Sequence, residues 1–403
     1  MNLAAFETLL SPIGQKALAA AFELNPSEET FLAGCTRMQK QFALELSKAA
    51  IETVILRKKA AGKFSRAAEM YFTREALEQS SGEIISRYRA ERFAEFAAIG
   101  DWCCGIGGDT IALAAQHHVV AAEIEPLRLK MAEANLKAYG AHARVRFINA
   151  DVTQMSLPQL DALFFDPARR VEGRRRFSVE EYQPPLALIK EWLPQVNALG
   201  VKISPAVNVH ELARYDCEVE FVSVDGELKE CVLWFGAAKS AARRATLLPE
   251  RHTLTPMQTE ARLSAPRAFL YEPDPAVLRA RLVTTLAAQL NAAQIDREIA
   301  YLTSDNLIAT PFARAFAIEE AFPFHLKKLR ARLRAMRVGR VTVKKRGSPI
   351  EPEALVSQLK LSGPESRIVF LTHVEGKPFV LIGNEAGQVS NEGGFKRGWF
   401  QNR

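Results

Sequence analysis

The sequence predicts an α/β fold: a doubly wound, mostly parallel sheet in the middle of the chain, an all-helical region before it and small α+β elements after it. Between about Ala97 and Ala237, short apolar runs alternate with helical stretches, the texture of βαβ units on a parallel sheet. Ahead of that lies helical periodicity. Behind it, Pro249, Pro256, Pro266, Pro273 and Pro275 punctuate a segment of weaker periodicity, which marks a passage into a second architecture.

At 403 residues the chain exceeds the ~100–200 residues of one ordinary domain, so about two to four domains are expected. The divisions read from the pattern are 1–96, 97–240, 265–325 and 326–403. In the first, Asn25-Pro26-Ser27-Glu28-Glu29 supplies capping residues and early acids, followed by Phe42, Leu44, Leu46, Ala49, Ile51 and Val54 at helical spacing. Arg57, Lys58, Lys59, Lys63, Arg66 and Arg74 fall in this region and read as a solvated helix face. In the second, AAIGDW, VVAAEI, VRFINAD, ALFFDPA, GVKISPA and ELKECVLWFG read as strands, with DTIALAAQH, EPLRLKMAEANLKAYG and PPLALIKEWLP as helices. The third offers one helix, Ala276–Ala293. The fourth combines a basic helix from Leu326 with apolar runs Arg340–Val343, Ile368–Thr372 and Phe379–Ile382, a small α+β pattern.

Hydrophobic residues at 48% and charged residues at 25% match folded soluble proteins and exclude extensive disorder. The five cysteines are scattered and lack CxxC spacing, which argues against a disulfide framework or a zinc site, so no metal is expected. The N-terminus has no basic stretch ahead of its apolar residues, and no apolar run approaches the ~20 residues that span a bilayer. A soluble protein of the reducing cytoplasm is expected, with no membrane partner.

The chemistry concentrates at the strand ends. Asp101-Trp102-Cys103-Cys104-Gly105-Ile106-Gly107-Gly108-Asp109-Thr110 places glycines at a strand-to-helix turn, where the backbone can approach a ligand. The spacing is not GxGxxG, and a carboxylate stands ahead of the glycines. An acid there suits a ligand with a positive amino group and would repel a diphosphate, which disfavours nicotinamide cofactors. The next strand ends at Glu123, where a carboxylate can accept from ribose hydroxyls; Glu125 is the alternative, because EIEP can be read in either register. The third strand leads into Asn149-Ala150-Asp151, which can reach an adenine amine.

With these residues the chain resembles the class I S-adenosylmethionine-dependent methyltransferases, whose domain is Rossmann-like. The resemblance implies S-adenosyl-L-methionine as cofactor. It implies a cofactor set of Asp101, Cys103, Gly105, Gly107, Gly108, Asp109, Thr110, Glu123, Ile124, Asp151, Val152 and Asp166, with Asp101, Gly105 and Gly107 near the methionine moiety.

The fourth strand ends in Asp166-Pro167-Ala168-Arg169, which looks like a variant of the D/N-P-P-Y/F/R motif of enzymes that methylate nitrogen. A carboxylate there orients an amino group toward the methyl carbon. Asp166, Pro167 and Arg169 are therefore the candidate catalytic residues. The motif departs from the family pattern: Ala168 replaces the second proline and no aromatic follows to stack on a base. Arg169 could hold a phosphate or an acid of the fold. Cys217 and Cys231 read as core thiols, so nitrogen is favoured over carbon as the acceptor.

Positive charge clusters twice. Arg169, Arg170, Arg174, Arg175 and Arg176 surround one acid, Glu172, beside the expected transfer centre. Lys327, Lys328, Arg330, Arg332, Arg334, Arg337, Arg340, Lys344, Lys345 and Arg346 form an acid-free run whose charge exceeds the whole chain's net +7. Arg169, Arg170, Arg174–Arg176, Lys327, Lys328, Arg330, Arg334 and Lys344–Arg346 are accordingly expected to meet substrate, with RNA as the partner.

The whole-chain pattern is similar to a bacterial methyltransferase family with a C-terminal THUMP-like domain preceded by a small ferredoxin-like one. It is carried by Phe72-Thr73-Arg74-Glu75-Ala76-Leu77-Glu78-Gln79, Tyr88-Arg89-Ala90-Glu91-Arg92-Phe93, the DPARR–GRR–PPL series, Val201-Lys202-Ile203-Ser204-Pro205, Leu270-Tyr271-Glu272-Pro273-Asp274, Tyr301-Leu302-Thr303 and Val343-Lys344-Lys345-Arg346-Gly347. That resemblance implies an RNA substrate and methylation of a tRNA or rRNA base. Two other readings stay open: a methyltransferase of proteins or small molecules, and a non-catalytic RNA-binding protein.

Overall fold

The computed structural model describes residues 1–168, 170–171, 174–175 and 178–387, with only the backbone of 170–171 and 174–175. The chain forms two compact units, 1–219 with 230–240, and 220–229 with 241–403.

The first unit opens with helices. Asn2 caps α1 (Leu3–Leu10) by accepting from the Ala5 N–H, and Ser11 and Pro12 start α2 (Pro12–Glu23). Then come α3 (Phe31–Met38) and α4 (Leu44–Ala60). Helix α4 buries ten of its residues on several faces, so it is the hydrophobic centre of this region. A loop leads to α5 (Arg74–Gln79), capped by Thr73, and α6 (Glu83–Glu91).

The basic residues read as a solvated face here are largely internal ties. Arg74 and Lys59 converge on Glu28, and the Arg74 hydrogen bond leads in holding its carboxyl down to about 2. Arg57 donates to the Met70 carbonyl at 2.8 Å, and Lys63 to the carbonyls of Leu77 at 2.6 Å and Ser80 at 3.1 Å. Sequence spacing along one helix does not reveal partners from a neighbouring loop.

The sheet follows as β1 (Ala98–Trp102), α7 (Gly108–Ala114), β2 (His118–Glu123), α8 (Pro126–Ala138), β3 (Val145–Asn149) and β4 (Ala162–Phe165). A short antiparallel pair, β5 (Arg170–Val171) and β6 (Arg174–Arg175), precedes α9 (Ile189–Trp192) and β7 (Ala198–Ile203). The expected long helix in PPLALIKEWLP shrinks to four residues flanked by 3-10 turns, because Pro184, Pro185 and Pro194 bracket it. The division between units then falls within β8 (Glu218–Val224) and β9 (Glu227–Gly236).

Within the first unit the strand order is β9-β7-β4-β1-β2-β3. The neighbours β1–β2, β2–β3, β1–β4 and β4–β7 are parallel, and β9 lies beside β7, antiparallel to it. The chain leaves β1 in one direction to β2 and β3, then returns to its other side at β4. That reversal opens a crevice at the carboxyl ends of β1 and β4.

In the second unit, β10 (Arg243–Leu248) and β11 (His252–Leu254) form a hairpin in the stretch that sequence periodicity left blank. After β12 (Phe269–Pro273), the single helix expected over Ala276–Ala293 is two, α10 (Pro275–Arg279) and α11 (Val283–Gln289), separated where Arg281 takes φ 56°. A left-handed residue ends an α-helix, and nothing in a single arginine signals it. The unit continues through β13 (Ala293–Gln294), β14 (Leu302–Ser304), β15 (Ala313–Pro323), α12 (Leu326–Ala335), β16 (Val338–Lys345), α13 (Pro352–Leu359), β17 (Glu365–Val374) and β18 (Lys377–Glu385). One seven-stranded sheet, β13-β14-β12-β15-β18-β17-β16, takes strands from both sides of residue 325. Among the described residues, no helix is long and apolar enough to cross a membrane.

Candidate active site

After β1 the chain turns through Cys103 at φ 61°, Gly105 at φ 56° and Gly107 at φ 83°. The two glycines serve different ends. A Cβ on Gly107 would lie 2.8 Å from Leu136 Cδ2, so this position packs the turn onto α8, whereas a Cβ on Gly105 would meet nothing within 4 Å. Gly105 therefore presents bare backbone to an open space.

That space is a cavity of about 660 Å³, the size of a cofactor pocket. Its walls are the turn Cys103–Ile106 with Gly108 and Asp109, the strand ends Glu123–Ile124, Ala150–Thr153 and Asp166–Ala168, Gln183–Pro185, and Lys202 of β7. Ala76 and Glu78–Ser81, at the end of α5, complete it. The helical N-terminal region thus builds part of the site, which no sequence signal suggested.

Glu123 is buried at the end of β2. The Gly105 N–H donates to its Oε2 at 2.9 Å and the Glu125 N–H to its Oε1 at 3.0 Å, so the glutamate also holds the glycine turn. A carboxylate has about four lone-pair positions, which leaves capacity for a ligand. Glu125 is exposed and caps α8 through the Leu127 N–H; of the two glutamates, Glu123 faces the cavity. Asp151 Oδ1 accepts from Thr153 N–H at 2.9 Å and Thr153 Oγ1 at 2.8 Å, fixing its side chain at the cavity wall. Ile124 and Val152 line the same wall.

Asp101 differs from the expectation. It is buried behind the turn and is not part of the cavity wall, and the same is true of Gly107 and Thr110. Thr110 Oγ1 donates to Asp101 Oδ2 at 2.5 Å, and Oδ1 has no partner among the described residues. Burial pushes this carboxyl well above the usual range; Asp109 and Asp166 add to the effect, while the Thr110 hydroxyl and Arg89 oppose it. A carboxyl raised in the folded state favours folding while protonated. That contribution is lost as pH climbs from the unfolded value through the folded one. Asp101→Asn, which stays neutral, should therefore gain stability relative to the native chain as pH rises from 4 to 8. Thermal melts across that range check it; a constant difference in Tm would contradict the raised carboxyl.

Beneath the turn, Arg89 of α6 is fully buried. Its guanidinium pairs with Asp109 and Glu230 and lies over the Phe164 ring, 5.1 Å from the centroid. Asp109, expected to bind cofactor, is at the cavity wall and tied to this arginine. Arg89 had no assigned role, since a lone arginine in a polar helix looks solvated.

At the end of β4, the Asp166 N–H donates to the Trp102 carbonyl at 3.1 Å, and reciprocal backbone bonds join Ala168 to Gln183 at 2.9 and 3.0 Å. Lys202 Nζ donates to Asp166 Oδ2 at 2.6 Å and to the Gln79 carbonyl at 3.2 Å. Pro167 lines the cavity beside them. Lys202 was not among the expected site residues. Its signal is a lysine inside the otherwise apolar Gly200-Val201-Lys202-Ile203, whose burial must be compensated by a carboxylate.

Burial raises the thiols of Cys103 and Cys104, which line the cavity, well above the normal value, and pushes Cys217 up to about 12.

The substrate residues expected at 169–177 lie outside what is described: Arg169 and Arg176 entirely, and the side chains of Arg170, Arg174 and Arg175. In the second unit, Lys327, Lys328 and Arg334 are exposed on α12. Others meet partners that the local sequence does not contain. Arg330 donates to the Gln358 carbonyl at 2.5 Å, Lys344 pairs with Glu272 at 2.5 Å, Lys345 with Glu351 at 2.7 Å, and Arg346 lies 3.9 Å from Glu272 and over Tyr301. An acid-free stretch of sequence is not an acid-free surface.

Known proteins resemble the chain in both halves. Residues 97–223 match the family described as RNA cap guanine-N2 methyltransferase, residues 313–385 the THUMP domain-like family, and residues 2–60 a domain of unknown function. The chain is 33% identical over 336 residues to an uncharacterized S-adenosylmethionine-dependent methyltransferase of Mycobacterium tuberculosis, covering 80% of this chain and 92% of that one. It is 44% identical over 82 residues to an uncharacterized RNA methyltransferase of Parasynechococcus marenigrum, which is 19% of this chain and 18% of the relative. In fold it is similar to a provisionally named methyltransferase from Porphyromonas gingivalis W83, with a TM-score of 0.75, 22% identity, and coverage of 92% and 98% of the two chains.

Proposed function

Since the chain belongs to the S-adenosylmethionine-dependent methyltransferases, we propose that it transfers the methyl group to a nitrogen of an RNA base, in the cavity between Gly105 and Asp166. The observation that carries the acceptor side is the Asp166 carboxylate at the cavity wall, held on one oxygen by Lys202.

The residues present fit the cofactor. The open face of Gly105 admits a close backbone approach. Glu123 retains acceptor capacity for ribose hydroxyls, and Asp151 stands one strand further on for the adenine amine. The bound cofactor supplies an electrophilic methyl on a sulfonium. Asp166 accepts a hydrogen bond from the acceptor N–H, aims the nitrogen lone pair at the cavity, and stabilises the positive charge that develops on nitrogen until its proton leaves. The raised thiols of Cys103 and Cys104 argue against a covalent route to a pyrimidine carbon.

An RNA acceptor is supported by the RNA methyltransferase description over residues 97–223, by the THUMP-like match over 313–385, and by the exposed cations of α12. Labelled S-adenosylmethionine offered with unmodified total RNA, protein extract or small metabolites tests the reading: label in one RNA nucleoside supports it, and label only in protein or metabolites overturns it. The basic helix has its own test. Replacing Lys327, Lys328 and Arg334 by glutamine should flatten the dependence of log affinity on log salt by about 0.7–0.9 per lost phosphate contact. An unchanged slope in filter binding would remove α12 from the RNA surface.

A further inference from the structure

We propose that Lys202 is the positioning residue of methyl transfer: it locks one oxygen of Asp166 so that the other faces the acceptor, and it offsets the carboxylate's charge at the sulfonium. This rests on the proposed acceptor role of Asp166.

Lys202 sits in the all-buried strand β7 and is itself 4% exposed, yet its side chain reaches the cavity wall. A buried ammonium is costly without acceptors. It has two: Asp166 Oδ2 at 2.6 Å and the Gln79 carbonyl at 3.2 Å. The first belongs to the strand end that carries the acceptor chemistry. The second belongs to the end of α5, where the helical region closes the cavity. One lysine therefore fixes the carboxylate's rotation and joins the two walls between which an acceptor must enter. An ammonium carries three N–H donors, so one remains for a ligand.

Asp166 is the more exposed partner, at 25% against 5% for the lysine side chain, and its second oxygen is the one available to an incoming N–H. An unanchored aspartate would rotate about its side-chain torsions and bring either oxygen forward. Anchoring removes that freedom before the acceptor arrives, a gain in orientation rather than in binding. The pair also sets charge. A carboxylate near a sulfonium attracts it, and the ammonium behind it cancels part of that attraction. Asp166 can then orient the acceptor without holding the charged cofactor more tightly than the neutral product.

The two charges act in opposite senses, so the test uses two variants and a readout that needs no RNA. Calorimetry on the full chain gives the affinities for S-adenosylmethionine and S-adenosylhomocysteine. Lys202→Met should shift preference toward the sulfonium form, by about tenfold for each 1.4 kcal/mol of uncovered attraction. Asp166→Asn should shift it the other way. With the RNA acceptor, Lys202→Met should lower kcat with KM close to that of the native chain, and Lys202→Arg should recover part of the loss. If the methionine variant does not fold, Lys202→Gln, which removes the charge but keeps an N–H donor, still gives the sign of the charge effect. A preference unchanged in the soluble variants, or a native kcat in Lys202→Met, overturns the proposal. If the native chain labels no RNA while the two affinity shifts appear with opposite signs, Lys202 keeps its role and the RNA reading fails.

Discussion

Asp166→Ala should slow methyl transfer by orders of magnitude while the cofactor still binds. The carboxylate lies at the end of β4, away from Glu123 and Asp151 on the other strand ends of the cavity, so its loss removes the acceptor's partner and leaves the adenosine side intact. Placement of an acceptor by one polar group accounts for about 10²–10⁴-fold in rate, and kcat should fall within that range. The substitution also leaves Lys202, paired at 2.6 Å in the native chain, with the Gln79 carbonyl alone. Some stability is therefore lost as well, and Asp166→Asn is the gentler control. Calorimetry with S-adenosylhomocysteine alongside single-turnover label transfer separates the effects. Transfer at the native rate in Asp166→Ala would dismiss this aspartate from the chemistry. Retained binding with lost transfer would dismiss the reading of the chain as a non-catalytic RNA-binding protein.

Arg89→Ala should be among the most destabilising single substitutions in the first unit. Arg89 is 1% exposed, and its guanidinium bridges Asp109, in the first turn of α7, to Glu230 on β9. Glu230 Oε1 already lacks a partner among the described residues. Removing the arginine strands Glu230 in the interior and leaves Asp109 without its ion-pair partner at the cavity wall, and breaking a buried pair from one side costs about 3–5 kcal/mol. Lysine cannot substitute fully, since a single ammonium cannot span both acids as a planar fork does. The check is the urea midpoint, with the slope unchanged; a shift under 1 kcal/mol would mean that the network behaves as a surface pair. Because Asp109 borders the cavity, a loss of cofactor affinity should accompany the loss of stability.

Much of the site was legible because its residues sit at strand ends, and strand ends can be read from periodicity. The glycine turn, Glu123, Asp151 and Asp166 lie at the carboxyl ends of β1 to β4 and meet at one cavity. Lys202 and Arg89 were not legible as site residues. Each gains its role from a partner far along the chain, Asp166 for one and Asp109 with Glu230 for the other. The same limit hides the partners of the basic run at 327–346, whose Lys344 and Arg346 turn to Glu272, and the position of Asp101, which the packing sets behind the turn.

The sequence by itself determined the doubly wound sheet, its place after a helical region, the glycine turn and the order of acids at successive strand ends. All of these are local: apolar periodicity and turn chemistry act over a few residues. Only the tertiary structure decided which carboxylates are paired, which of Glu123 and Glu125 faces the cavity, that the end of α5 closes it, and that a lysine from β7 holds Asp166. Burial of a charge is a property of everything packed around it, and its compensation comes from whichever element the fold brings within about 3 Å.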